Sequence, residues 1–327
     1  MSSLAREELS AFLARVLPAT DATSSVAGVL KAIAASCAEV SLALRTEVIC
    51  SANGKNKFGD DVLSVDLLAD DCISRHLQQC PHVAAFCSEE RPTLTSVSSS
   101  SSKPVNESYC VAFDPLDGSS IIPCNFAVGS IFGIWRGNYF IGQKVSDIVS
   151  SVVVVYGPRT AMFLAHRAFG AAEFLLEKNG QWQKVSNEPL TIKPDAKIFA
   201  PGNLRSVSVL PWYRRIVKDY MDSGKTLRYT GGMVPDVCQI LIKGNGVFMT
   251  PEAAPKYKVK LRVLFECGPM AFLIQCAGGY ATTGLGDYMD LVIVELHQKS
   301  PIALGSKNDA KRFENACSNQ QRTMGKL

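Results

Sequence analysis

The run Asp114-Pro115-Leu116-Asp117-Gly118-Ser119-Ser120 sets two carboxylates three residues apart around a proline, then adds a glycine and two hydroxyls. Carboxylates so spaced can converge on one hard cation such as Mg²⁺, which takes carboxylate, water and phosphate oxygens. The main-chain carbonyl of Leu116, inside the turn, offers one more oxygen. Pro115 fixes the backbone and Gly118 permits a tight reversal. After the turn, the N–H groups of Ser119, Ser120 and Ile121 and the two serine hydroxyls fall where a phosphate can be held. A cation site and an anion site therefore adjoin. The same residue types also describe an ordinary solvated turn.

A second acidic pair separates these readings. Tyr109 to Phe113 is short and apolar with no helical period, which reads as a buried strand carrying Asp114 out at its C-terminal end. Pro81 to Ser88, with Val83 to Cys87 apolar, reads the same way and ends in Glu89-Glu90. Two strands thus deliver four acids to one edge, and ligands of open α/β sheets sit beyond the carboxyl ends of strands.

The elements that position these groups follow from periodicity. Residues 5–16 and 24–49 read as helices, the second with Val26, Val29, Leu30, Ile33, Cys37, Val40 and Leu44 at helical spacing. Ser51 to Gly59 reads as a polar loop. Its Gly54 and Gly59 have P-loop spacing, but Asp60-Asp61 stand where Lys-Ser/Thr would be needed, so it is not a nucleotide loop. Asp60 reads as an acid that faces a cation or orients water, and as the cap of a helix beginning at Asp61 or Val62. On that helix Asp66 lies at the margin of a stripe of Val62, Val65, Ala69, Cys72 and Ile73. Thr95 to Ser102 reads as a polar surface insertion. Strands are expected over Phe126–Trp135, Val152–Tyr156, Ala161–His166 and Glu173–Leu176.

Lys193-Pro194-Asp195 marks a boundary between an N-terminal α/β half, 1–192, and a C-terminal α/β half, 193–327. The second half opens with a strand at Ile198–Ala200, a turn at Pro201–Arg205 and a helix at Pro211–Met221. Arg228-Tyr229 stand just before Gly231-Gly232, which suits phosphate contact from a loop. Lys258, Lys260 and Arg262 flank a run, Leu261 to Phe265, that delivers Glu266. A helix at Met270–Ala277, a strand at Pro301–Ser306 and a helix at Asn308–Cys317 close the chain.

Composition narrows the classes. The 327 residues are 47% hydrophobic and 20% charged, and the net charge of +4 is not clustered, which argues against a nucleic-acid or membrane partner. No apolar run approaches the ~20 residues of a membrane span, and Arg6, Glu7 and Glu8 interrupt any signal-like core. The eleven cysteines are scattered, odd in number and without Cys-x-x-Cys, which reads as reduced, buried thiols in a reducing compartment. The four histidines show no ligand spacing, so zinc is disfavoured.

Gly59-Asp60 with Asp66, Ser88-Glu89-Glu90, Asp114 to Ser120, Arg228-Tyr229, and Lys260-Leu261-Arg262 with Glu266 resemble the fructose-bisphosphatase class of sugar bisphosphatases over almost the whole length. Ala112-Phe113, Tyr156 to Thr160, Pro201 to Arg205 and Arg228 to Asp236 further resemble its sedoheptulose-bisphosphatase branch. The Asn-Glu-Gly-Tyr run typical of fructose bisphosphatases near Gly202-Asn203, and their Tyr near Thr250, are missing here.

The resemblance implies an α/β fold, a layered α/β/α/β/α sandwich of the sugar-phosphatase type, in a homodimer or homotetramer. It implies Mg²⁺-dependent hydrolysis of the 1-phosphate of sedoheptulose 1,7-bisphosphate, with fructose-1,6-bisphosphatase or dual specificity as the alternative. Glu89, Asp114, the Leu116 carbonyl, Asp117 and Glu266 match the family's ligands for two or three Mg²⁺, with Mn²⁺ a substitute. Asp66 and Glu90 match the pair that activates water, assisted by Asp60. Asn203, Tyr229, Lys260 and Arg262 match sugar and phosphate binders, beside the cradle of Gly118, Ser119 and Ser120. Arg228 matches the arginine that reaches a neighbouring subunit's distal phosphate. The expected location is cytoplasmic, or a peroxisome-like organelle if the terminal Gly325-Lys326-Leu327 serves as an address.

Overall fold

The computed structural model describes residues 7–17, 21–47, 51–55, 61–97 and 108–324. Asp60, most of the serine-rich insertion and the terminal tripeptide lie outside them. Along the chain, α1 (Leu9–Val16) and α2 (Asp21–Thr46) precede a hairpin of β1 (Ser51–Lys55) and β2 (Asp61–Leu63), then α3 (Ser64–Gln79). Strands β3 (Val83–Ser88), β4 (Thr95–Ser96), β5 (Tyr109–Asp117), β6 (Val128–Arg136), β7 (Ile148–Tyr156), β8 (Thr160–His166), β9 (Gly170–Leu176) and β10 (Trp182–Lys184) follow. After them come β11 (Ile198–Pro201), α4 (Pro211–Asp222), β12 (Thr226–Leu227), α5 (Met233–Lys243), β13 (Val247–Thr250), α6 (Gly268–Cys276), β14 (Tyr280–Thr282), β15 (Ile302–Gly305) and α7 (Lys307–Met324).

Strands β3 to β10 form one sheet in the order β10-β9-β8-β7-β6-β5-β3-β4, and the later strands form a second, β12-β11-β13-β15-β14. Three apolar cores stack these sheets. Leu13, Val29, Ile33 and Ile73 of α1, α2 and α3 pack on one face of the large sheet, meeting Val111, Phe113, Phe132 and Val154. Its other face, through Ala112, Ile131 and Val153, meets Val237 of α5 and Phe272 of α6, which in turn cover Phe248 and Leu304 of the small sheet. Tyr213, Tyr220 and Phe313 of α4 and α7 close the outer face over Phe199 and Met249. The result is the expected α/β/α/β/α sandwich. Because helices cover both faces, every residue of β5 is buried, which is why its Tyr109–Phe113 stretch reads as an unbroken apolar run.

Several boundaries differ from the sequence reading. Part of the polar loop at Ser51 pairs as β1 with Asp61–Leu63, so α3 begins at Ser64 rather than at Asp61 or Val62. The run before Glu266 is a π-turn, Val263–Cys267, leading into α6, where i→i+5 bonding brings the Cys267 N–H to the Arg262 carbonyl at 3.0 Å. Helix α5 has no counterpart in the expected elements. Ser25–Thr46 of α2 is, by length and composition, apolar enough to cross a membrane, contrary to the sequence expectation. Its Val26, Val29, Leu30, Ile33 and Val40 are buried against the large sheet, as in the core helix of a globular body.

Candidate active site

Parallel pairing of β3 and β5 brings Ser88 level with Phe113. Glu89 and Asp114 therefore leave the sheet side by side, and the Glu89 N–H donates to the Phe113 carbonyl at 3.0 Å. The π-turn carries Glu266 to the same point. Carboxylate oxygens of Glu89, Asp114 and Glu266 lie within 4.8 Å of one another. Asp114 also accepts the Leu116 N–H at 2.9 Å, an Asx turn that orients both the acid and the Leu116 peptide. Asp117 faces the N-terminus of α5, where its Oδ2 accepts the Val234 N–H at 2.7 Å. The other half of the fold thus grips Asp117 through the Val234 and Met233 N–H groups. Glu90 follows Glu89, and its N–H donates to Ser88 Oγ at 3.2 Å. Asp66, in the first turn of α3, is buried and near enough to Glu90 to repel its charge.

The electrostatics of this wall are unfavourable by themselves. Burial, then the charge of Glu89, pushes the carboxyls of Asp114 and Glu266 well above the usual range. Burial raises Asp117 to about 7 against the opposing Val234 and Met233 N–H groups. Glu90 also rises to about 7, through burial first and Asp66 second. Arg262, 5% exposed, offsets part of the charge by pairing with Glu89, and its N–H donates to Glu266 Oε2 at 2.6 Å. The buried Glu90 Oε2 accepts no hydrogen bond from any described residue. Converging oxygen donors, mutually raised carboxyls and an orphaned buried oxygen fit a hard divalent cation.

Basic and polar groups form the facing wall. A cavity of ≈ 370 Å³ is lined by Asp117, Asn203, Arg205, Tyr229, Thr250, Lys258 and Lys260 among others. Asn203 adopts a left-handed conformation, φ 48°, and donates its amide to the Pro251 and Tyr257 carbonyls, each at 3.0 Å. Only its side-chain oxygen is left for a ligand. Gly202 backs onto Thr250, where a Cβ would stand 3.0 Å from Oγ1. Gly118 starts the Ser119–Cys124 turn at φ 86°, against Gly232. Ser119 is half-buried and Ser120 exposed. The structure thus brings Asn203, Tyr229 and Lys260 to one cavity with Asp117. It sets Arg262 against Glu89 instead, and leaves Arg228 exposed, with Nη1 donating to the Leu227 carbonyl at 3.1 Å. Asp60 lies outside the described residues.

Three supporting residues were given no role in the sequence reading. Asp70, fully buried one turn after Asp66, stands 3.0 Å from Arg91 Nε and so ties α3 to the segment following Glu90. Its i,i+4 spacing from Asp66 was the available signal. Asp236 accepts the Thr230 N–H at 2.9 and 3.2 Å and fastens the Arg228–Thr230 loop to α5. Arg205 lines the cavity beside Asn203.

Models of the N-terminal and C-terminal domains of fructose-1-6-bisphosphatase match residues 11–187 and 192–318. The chloroplastic sedoheptulose-1,7-bisphosphatase of Triticum aestivum is 45% identical over 261 residues, covering 79% of this chain and 64% of that protein. The chain therefore spans just under two-thirds of that relative's length. The class 1 fructose-1,6-bisphosphatase of Geobacter sulfurreducens is 38% identical, with 82% of this chain and 83% of that protein covered. Among solved structures, a Toxoplasma gondii protein named for sedoheptulose-1,7 bisphosphatase superposes with a TM-score of 0.87 at 33% identity, covering 96% of this chain and 99% of that one. The holo fructose-1,6-bisphosphatase of Leishmania major gives 0.84 at 26%, covering 95% and 98%. With both domains matched and its acids gathered between them, the chain belongs to the fructose-1,6-bisphosphatase family.

Proposed function

We propose that this protein hydrolyses the 1-phosphate of sedoheptulose 1,7-bisphosphate, giving sedoheptulose 7-phosphate and phosphate. The observation that carries the reading is the Glu89–Asp114–Glu266 cluster set beside a cavity lined by Lys258, Lys260, Arg205 and Tyr229. Acids on one side and cations on the other suit a phosphate ester held at both ends.

Members of this family are metal-dependent phosphatases. Here Glu89, Asp114, the Leu116 carbonyl, Asp117 and Glu266 would hold two or three Mg²⁺, with Mn²⁺ as a substitute. The chemistry such ions supply is neutralisation of the phosphoryl oxygens and a lowered pKa for the attacking water. The chain's own residues do the rest. Asp66 and Glu90 take the proton of that water, and Asp60 assists. Gly118, Ser119 and Ser120 orient the reacting phosphate. Lys260, Tyr229 and the Asn203 oxygen hold the sugar and its distal phosphate. Arg262 aligns Glu89 through its guanidinium and Glu266 through its main-chain N–H. Exposed Leu227, Arg228 and Tyr229 favour a homodimer or homotetramer in which Arg228 reaches a neighbouring site.

Identity to class 1 fructose-1,6-bisphosphatases favours fructose 1,6-bisphosphate as the second substrate. Phosphate release from the two sugars, measured side by side with Mg²⁺ and with EDTA, tests both readings. Faster release from the seven-carbon sugar, abolished by EDTA, is expected. Preference for fructose would replace the substrate assignment, and release undiminished in EDTA would overturn the mechanism.

A further inference from the structure

Away from the acid wall, α2 and α3 bring together three donors of different softness. Cys72 and His76 lie four residues apart on one face of α3, and Glu39 faces them from α2. The thiol sulfur, an imidazole nitrogen and a carboxylate oxygen all lie within 4.8 Å of one another. His76 Nε2 is 3.0 Å from Glu39 Oε2. Cys72 is buried; its thiol makes long contacts to the Ser36 carbonyl at 3.6 Å and from Arg75 at 3.9 Å, and it also faces the Glu39 carboxylate. His76 and Glu39 have side chains 21% and 48% exposed, so the site opens to solvent on one side.

We propose that Glu39, Cys72 and His76 form a second metal site that takes a thiophilic divalent ion of the Zn²⁺ class. A Cys/His/carboxylate set with an open fourth position matches zinc chemistry, whereas the oxygen-only cluster at Glu89, Asp114 and Glu266 suits Mg²⁺. The four histidines show no ligand spacing among themselves, and zinc is disfavoured on that ground; the sequence signature of this site is instead Cys72-x-x-x-His76. Binding replaces the Glu39–His76 hydrogen bond. The thiol proton leaves to solvent as the sulfur–metal bond forms, so about one proton is released per ion. Arg75, paired with Glu39 and half-exposed, turns outward. Cys72 lies six residues beyond Asp66, about 9 Å along the helix axis. The ion therefore clamps α3, which carries an acid of the catalytic wall, to α2.

Co²⁺ is the probe, added to protein held in excess Mg²⁺ so that the oxygen cluster is filled. A thiolate-to-cobalt charge-transfer band saturating at one equivalent and bleached by Zn²⁺ is expected. Cys72→Ser should abolish the band, while His76→Gln and Glu39→Gln weaken Co²⁺ binding by about tenfold or more. The partly exposed positions of the last two keep the test open if Cys72→Ser does not fold. Added Zn²⁺ should raise the melting temperature of the wild type but not of the variants. Absence of the band overturns the site. So does a band of equal strength in Cys72→Ser, which would move the thiolate to another cysteine such as the exposed Cys124.

Discussion

The two walls of the candidate active site are built by opposite means. The acids sit at strand ends and on a helix start, buried and held by main-chain hydrogen bonds: Asp114 by Leu116, Asp117 by Val234, Glu266 by Arg262. The cations sit on loops around the small sheet, where Lys258, Lys260 and Arg205 are exposed. A group that must hold charge against repulsion needs a rigid frame, whereas one that meets a solvated phosphate benefits from reach. The acid wall should therefore govern turnover and the basic wall should govern affinity.

Asp114→Asn should break the acid wall most completely. Losing a buried ligand carboxylate should lower kcat by on the order of 10³-fold or more. In EDTA, the same substitution should raise the melting temperature, since it removes one of several mutually repelling carboxylates. A variant that lost activity and also melted lower in EDTA would mean that Asp114 holds the fold rather than the ion.

The repulsion itself is measurable. In the unfolded chain these acids titrate near 4, whereas burial and their neighbours hold Asp117 at about 7 and Asp114 and Glu266 higher than usual. For acids with raised folded-state pKa values, the contribution to stability is complete at low pH and is lost as pH rises through those values. Metal-free protein should therefore melt several degrees lower at pH 8 than at pH 6, and Mg²⁺ should remove the difference. A melting temperature in EDTA that does not change between pH 6 and 8 would erase the contrast between the walls.

Lys260→Ala tests the other side. One charge-assisted contact to phosphate stabilises by about 1.5–3 kcal/mol, which predicts KM raised about tenfold or more with kcat little changed. A matching fall in kcat would place Lys260 at the reacting phosphate instead of the distal one.

What the sequence revealed follows from how local each signal is. Asp114, Asp117, Glu89 and Glu90 were legible because each lies at the end of a short apolar run, and the pairing of β3 and β5 then had few alternatives. The five layers were legible through resemblance, while the three cores needed coordinates. The pairing of Arg262 with Glu89 joins residues 173 apart, and no spacing rule reaches that far. Helix α5 was missed because the paired Gly231-Gly232 read as a loop. Yet Met233, Val234, Val237, Cys238, Ile240 and Leu241 are buried, at the i, i+1, i+4, i+5, i+7, i+8 spacing of a helix, and Gly244 closes it at φ 64°.

That helix is where the walls touch, which makes Asp236 the most sensitive test of their separation. It is buried on the first turn of α5, a turn that also gives the Val234 N–H to Asp117, and it accepts the Thr230 N–H that anchors the Arg228–Tyr229 loop. Burial lifts its carboxyl to about 6 against the opposing Thr230 hydrogen bonds, so the ionised form predominates at pH 8. Asp236→Asn keeps an acceptor for Thr230 but turns a charge-assisted bond into a neutral one, a loss of about 1 kcal/mol. With the loop less firmly held, KM should rise about fivefold. Removing the negative charge also relieves Asp117, whose carboxyl Asp236 helps to raise, so kcat should hold steady or improve slightly. If kcat fell while KM stayed constant, α5 would be acting through Asp117 alone, and the loop carrying Arg228 and Tyr229 would belong to the acid wall rather than to the sugar.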